Sequence, residues 1–242
     1  MRAILVRIGV DQAFGGWNAP VNPKTGEFVF VPIPDGAAKR YPEGYARSYE
    51  EVEAAVSDFA TKHLVPDVRL PDPLRPRKMH LDPDFECLTY GDNGSRRGAG
   101  VATLVDGDVL AFYAGLRSVL PPRKLVYALV GAFVVGEVIR AADAPAERLH
   151  ENAHTRWTPI SDDDVIVRGK AGVSGRFSIC IPIGEWRDGA YRVRRDVEAA
   201  WGGLGVKNGF IQRSAVPPEF KDAARFGSWL QEQGVDLVER NN

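Results

Sequence analysis

Short apolar runs alternate with long polar connections along this chain, and that pattern lays out its elements. Residues 3–10, AILVRIGV, are apolar except at Arg7 and predict a buried strand. Residues 11–26 are rich in Gly, Asn and Pro and read as a long loop. GEFVFVPIP (26–34) predicts a strand whose prolines, Pro32 and Pro34, put it at an edge or a strand end. Residues 48–64 carry the clearest helical signal. Ser48 and Glu51 have capping-box spacing, and Val52, Ala55, Val56, Phe59 and His63 fall on one helical face. Four prolines between 64 and 79 exclude a regular helix or a central strand. That segment is expected to wrap the surface in extended form, and 80–98 to follow as a second polar loop.

Two strands are predicted next, Val109–Tyr113 and Leu125–Val138, the second bent at Gly131. The turn Asp106-Gly107-Asp108 launches the first. Residues 143–153 predict a short helix with Asp143 at its cap and Pro145 in its first turn. Residues 175–183 predict a strand, and an amphipathic helix stops at Gly234. Strands and helices do not alternate strictly, so the expected class is α+β, with a mostly antiparallel, barrel-like sheet, flanking helices and long loops. The expectation is a single domain, 1–242. It has an N-terminal elaboration (about 1–100), a barrel core (about 101–215) and a C-terminal helix (about 217–234).

Composition narrows the partners. Lys plus Arg is 31 and Asp plus Glu is 32, a net charge of −1, whereas a non-specific nucleic-acid binder would be more basic. Contact with a nucleic-acid backbone must then come from local patches: Arg69, Arg75, Arg77 and Lys78 in the proline-rich segment, and Arg96 and Arg97 beyond it. Two cysteines, Cys87 and Cys180, are too few for a disulfide framework or a four-thiolate metal site, and a reduced, cytoplasmic setting is expected. The longest apolar run, 125–138, contains Gly131, Gly136 and Glu137 and is too short to span a bilayer, so no membrane partner is expected. The N-terminal run reads as a strand rather than a signal peptide.

Four stretches carry candidate chemistry. Asp11 follows a buried strand, and Gly15 and Gly16 would let backbone amides approach a ligand beside Trp17 and Asn18. His80, Asp82, Asp84, Glu86 and Asp92 form a dense acidic group suited to a hard cation such as magnesium, or to an acid–base pair. Its spacing matches no zinc signature. Asp82 and Asp84 flank Pro83 and are also ordinary turn residues; that reading is the stronger, so no metal ligand is assigned and no cofactor is named. His150 and His154 stand four apart in HENAH, but no third ligand follows, and a solvated helix face accounts for them better. Residues 202–215 hold four glycines with Lys207, Gln212, Arg213 and Ser214, donors suited to a phosphate or a base edge. They lack the Walker order, and no Gly-x-Ser-x-Gly elbow is present.

The stretches ILVRIGVDQAFGGWNAPV, FVPIP, TYGD, GDVLAFYAGL and NGFIQRSA, spread from Ile4 to Ala215, together resemble the nucleotide modification-associated domain 3 family. That resemblance implies a place among systems that alter or recognise modified bases in DNA, with protein partners from such a system. GDVLAFYAG followed by ALVGAFVV is also similar to barrels related to the PUA, ASCH and EVE domains, so the barrel is expected to be PUA-like. Such domains hold nucleotides or flipped bases, which need aromatic stacking and edge hydrogen bonds. Trp17, Tyr90, Phe112 and Tyr113 are the stacking candidates, and Asp11, Asn18, Asp92 and Gln212, with Arg213 and Ser214, the polar ones. Core packing is the plainer account of Phe112 and Val109. The chain is much longer than a minimal barrel, and the first hundred residues lie outside this second resemblance. Because no catalytic motif is complete, binding of nucleic acid or a nucleotide at the barrel mouth is the leading expectation. The alternative is an enzyme of base or nucleotide modification, with Asp11, His80 and Asp82 as catalytic groups, with or without a divalent metal. Convergence of Asp11, residues 80–92 and residues 212–214 on one pocket would favour the second.

Overall fold

Strands that are apolar on both faces need cover on both sides, and the computed structural model, which describes residues 1–11, 16–212 and 216–242, supplies it. Twelve strands are formed among the described residues: β1 (Ala3–Arg7), β2 (Pro20–Val21), β3 (Ile33–Pro34), β4 (Met79–His80), β5 (Thr89–Asn93), β6 (Val109–Ser118), β7 (Leu125–Arg140), β8 (Asp164–Gly169), β9 (Gly175–Pro182), β10 (Gly184–Arg187), β11 (Ala190–Val193) and β12 (Leu237–Val238). The helices are α1 (Glu50–Lys62), α2 (Arg195–Ala200) and α3 (Ala223–Glu232), with several short 3₁₀ turns. The molecule is α+β. Its main sheet runs β1-β6-β7-β8-β5; β2 pairs with β6, and β9 lies between β7 and β12. Most pairings are antiparallel, β1 and β2 against β6 being the parallel ones. No pairing among the described residues closes this sheet, so the expected barrel gives way to an open sheet. Strands from both 1–100 and 101–215 belong to it.

Period-two alternation sorts the side chains of β6 onto two cores. Leu110, Phe112, Ala114 and Leu116 enter one, and Ala111 and Tyr113 the other. On β7 the same sorting changes parity. Ala128 and Val130 share the first core with Phe133 and Val135, while Leu129 and Ala132 face the second. The cause is a register shift: Phe112 pairs with Gly131 but Tyr113 with Leu129, so one extra residue flips the face of everything after it. A Cβ on Gly131 would come within 2.6 Å of the Phe85 ring, which packs edge-on to Phe30, Phe112 and Phe133. The predicted bend at Gly131 is therefore a bulge with a packing reason.

The first core is covered by α1 and by the segments around 28–31 and 70–90, the second by α2, α3, Leu204, Ile211 and Phe220. Helix α1 has its cap one residue after the predicted one and keeps half of the capping box: the Ser48 N–H donates to Glu51 Oε1 (3.0 Å), while Ser48 Oγ accepts from the Glu50 N–H (3.2 Å) instead of that of Glu51. The polar loop expected over 80–98 contains β5, which pairs with β8; periodicity missed β5 because it is short and carries Thr, Gly, Asp and Asn. No helix among the described residues is long and apolar enough to cross a membrane.

Candidate functional site

The ends of β1, β4 and β5 and the start of β7 open onto one cavity of about 880 Å³. Arg7, Asp11, Asn18, His80, Asp82, Tyr90, Asp92, Arg97, Tyr127, His154 and Gln212 line it. Asp11, Asn18, residues from 80–92 and Gln212, scattered in sequence, thus meet in space.

One end is built on an extended His-x-Asp. Residues two apart in extended chain share a face, and His80 and Asp82 both border the cavity. His80 Nδ1 lies 3.0 Å from Asp35 Oδ1, and its ring stacks on Trp157 at 5.5 Å. His154 arrives from the segment after the 3₁₀ turn Ala146–Glu151; its Nδ1 lies 2.6 Å from Asp164 Oδ2 on β8 and its Nε2 3.9 Å from Asp82 Oδ2. Asp82 Oδ1 accepts from the Gly91 N–H (2.8 Å) and from Asn152 Nδ2 (3.0 Å). One ligating atom each from His80, Asp82 and His154 lie within 4.8 Å of one another. Burial pushes the Asp82 carboxyl up to about 7, against the pull of His154, Gly91 and Asn152, and nearby Asp92 adds to the rise. Burial also pushes Asp164 up, but the hydrogen bond and charge of His154, with Asn93 and Lys39, leave it below the ordinary carboxylate range. Gly91 is what lets this end close: a Cβ there would collide with the His154 ring.

The other end is an aromatic and cationic wall. Arg7 NH2 pairs with Asp11 Oδ2 (2.8 Å), Arg7 NH1 donates to the Gln212 carbonyl, and the guanidinium lies over the Tyr127 ring at 5.5 Å. Tyr127 stacks on Tyr191 at 4.6 Å, and Tyr191 meets the exposed Trp186 edge-on at 5.2 Å. These rings form a column from the β10–β11 hairpin into the cavity. Asn18 donates to the Gly115 carbonyl (2.7 Å), while its Oδ1 is buried with no hydrogen-bond partner among the described residues. Gln212 Oε1 accepts from the Tyr191 N–H (3.0 Å). Tyr90 donates its hydroxyl to Asp92 Oδ2 (2.8 Å), and burial, then the Asp92 charge, raises its pKa well above the usual tyrosine value. Arg97 stands half-exposed at the rim, 3.8 Å from Asp92.

Other candidates lie elsewhere. Tyr113 is fully buried in the second core and donates to the Ile211 carbonyl (2.8 Å), so it offers no ring face to a ligand. Trp17 borders a separate cavity of about 390 Å³ beside Arg117 and Arg123. Arg69 and Arg75 border a third cavity along α1, where Arg75 is paired with Glu53 and Asp72. Arg77 donates to the Asp35 carbonyl (2.9 Å), and Lys78 and Arg96 are exposed outside the main cavity. Arg213 and Ser214 lie outside the described residues. Asp84 turns away from the cavity into a buried ion pair with Arg156. The HENAH reading needs correction: His150 is exposed, but His154 is not on a solvated helix face, because the 3₁₀ turn ends at Glu151 and the chain turns inward. Sequence reasoning missed Arg7 and Tyr127 and set His154 aside with HENAH; of the two missed, Arg7 left a signal, as the one charge in an apolar strand.

Comparison with known proteins adds one finding. Residues 2–209 match the family model described as nucleotide modification associated domain 3. Neither a curated protein nor a solved structure matches the chain.

Proposed function

The chain belongs to the nucleotide modification associated domain 3 family, and from that premise we propose that its main cavity holds a single nucleotide, free or flipped out of a nucleic acid, for modification rather than for recognition alone. The carrying observation is that one cavity joins two kinds of surface. The Tyr191–Tyr127–Arg7 column gives a base something to stack on, and stacking on aromatic or guanidinium planes holds bases of any sequence. The buried Asn18 Oδ1 is an acceptor suited to an exocyclic amine. Arg97 at the rim suits a phosphate. The opposite end carries His80, Asp82 and His154, three groups with lone pairs for proton transfer or ligation. A pocket that only reads a base needs stacking and edge contacts, not that trio.

Calorimetric titration with nucleoside monophosphates, paired with mass spectrometry of nucleosides from DNA incubated with the protein, tests this reading. Arg7→Gln should weaken binding at least about five-fold, since one stacked base is worth about 1–3 kcal/mol. His154→Gln should abolish base conversion while binding persists. No saturable binding of any nucleotide at millimolar concentration would refute the reading.

A further inference from the structure

We propose that His80, Asp82 and His154 form a site for a divalent transition-metal ion, of the two-histidine, one-carboxylate type, whose open coordination positions face the main cavity. The inference does not depend on what else the cavity binds.

Three observations carry it. The first is the donor set. Imidazole nitrogens favour borderline ions such as iron(II), cobalt(II) and zinc over magnesium or calcium, and two imidazoles with one carboxylate on one side of an ion leave positions open for water or substrate. The second is the orientation of the histidines. Each Nδ1 is engaged by its own carboxylate, Asp35 for His80 and Asp164 for His154. A carboxylate accepts the Nδ1 proton, so each ring keeps its lone pair on Nε2. His154 Nε2 lies 3.9 Å from Asp82 Oδ2, and a ligating nitrogen of His80 lies within 4.8 Å of the ligating atoms of both. The third is rigidity. Asp82 is held through Oδ1 by Gly91 and Asn152, which leaves Oδ2 toward His154, and Trp157 backs both rings. Ligand bonds of about 2.0–2.2 Å would draw the three atoms nearer than they now stand.

Asp35 and Asp164 are then positioning residues. An asparagine in place of Asp164 still accepts the Nδ1–H and keeps the ring in place, but it removes the charge that makes the imidazole a stronger donor; such changes weaken metal binding about 10- to 100-fold.

The test is a titration of the intact protein with cobalt(II), read by visible absorption. Wild type should bind one equivalent and develop d–d bands. Asp82→Asn and His154→Gln should lose the bands. Asp164→Asn should retain them at saturation with the affinity reduced, a graded response that a merely structural role would not give. A second measurement needs no variant: substoichiometric manganese(II) should broaden the NMR resonances of His80 and His154 and spare those of His63 and His150. No saturable cobalt absorption, bands that persist in Asp82→Asn and His154→Gln, or broadening centred on other residues would overturn the proposal.

Discussion

Asp82 and Asp84 stand two residues apart, both buried, and do opposite work. Asp84 is neutralised. It forms an ion pair with the buried Arg156 and accepts from the Glu86 and Cys87 N–H groups and from Asn241 Nδ2. That knot ties the 80–92 segment to the 150s and to the C-terminus. Among the described residues Asp82 pairs with no arginine or lysine; it takes two neutral donors and turns its other oxygen toward His154 at 3.9 Å. A carboxylate with its counter-ion built in holds a fold together. One whose charge is left for something else to balance marks a place where an ion or a substrate belongs.

The largest test of that contrast falls on Asp84. Removing one partner of a buried pair strands the other, so Asp84→Ala should lose about 3–5 kcal/mol in urea unfolding. A loss below about 1 kcal/mol would mean that the pair is not structural and that the contrast fails. Next is Gly91→Ala. The added methyl meets the His154 ring, which Asp164 and Trp157 hold in place. Overpacking should cost about 1–3 kcal/mol and also displace the ring, so cobalt affinity should fall. Unchanged stability and affinity together would show that the ring moves freely.

The most gradual effect, small within any one pH unit, lies in the pH dependence of the metal-free protein. Asp82 holds its proton up to about pH 7 in the fold, facing His154 and Asp92. In the unfolded chain it titrates near about 3.9. Between those values the unfolded chain has released a proton that the folded one keeps. Stability from this group is therefore full at low pH and falls as pH rises, by up to roughly 1.4 kcal/mol per unit. Melting curves of wild type should drop relative to Asp82→Asn across that range, and parallel curves would contradict the assignment.

Long apolar runs made β1, β6 and β7 legible, because burial on both faces leaves continuous hydrophobic sequence. Helix α1 was legible through its capping pair. The open sheet was not: closure depends on which strand pairs with which, and β5, with Thr, Gly, Asp and Asn, carries no strand pattern to pair with β8. Asp11, Asn18, His80, Asp82, Tyr90, Asp92, Arg97 and Gln212 were picked from sequence, and all line the cavity. Tyr113 failed because strand parity sends it to the opposite core from Phe112. His154 failed because its spacing from His150 was read as helical, while its real partners, Asp82 and Asp164, lie 72 and 10 residues away in sequence. Gly91 gave no hint that it clears space for that ring.

The central claim is that the stacking end and the ligating end serve one bound molecule. Cobalt(II)-loaded protein titrated with a nucleoside monophosphate tests it most directly. The nucleotide should shift the cobalt absorption bands in wild type, and Arg7→Gln should require at least about five-fold more nucleotide for the same shift. Cobalt bands that a bound nucleotide leaves unmoved would contradict it.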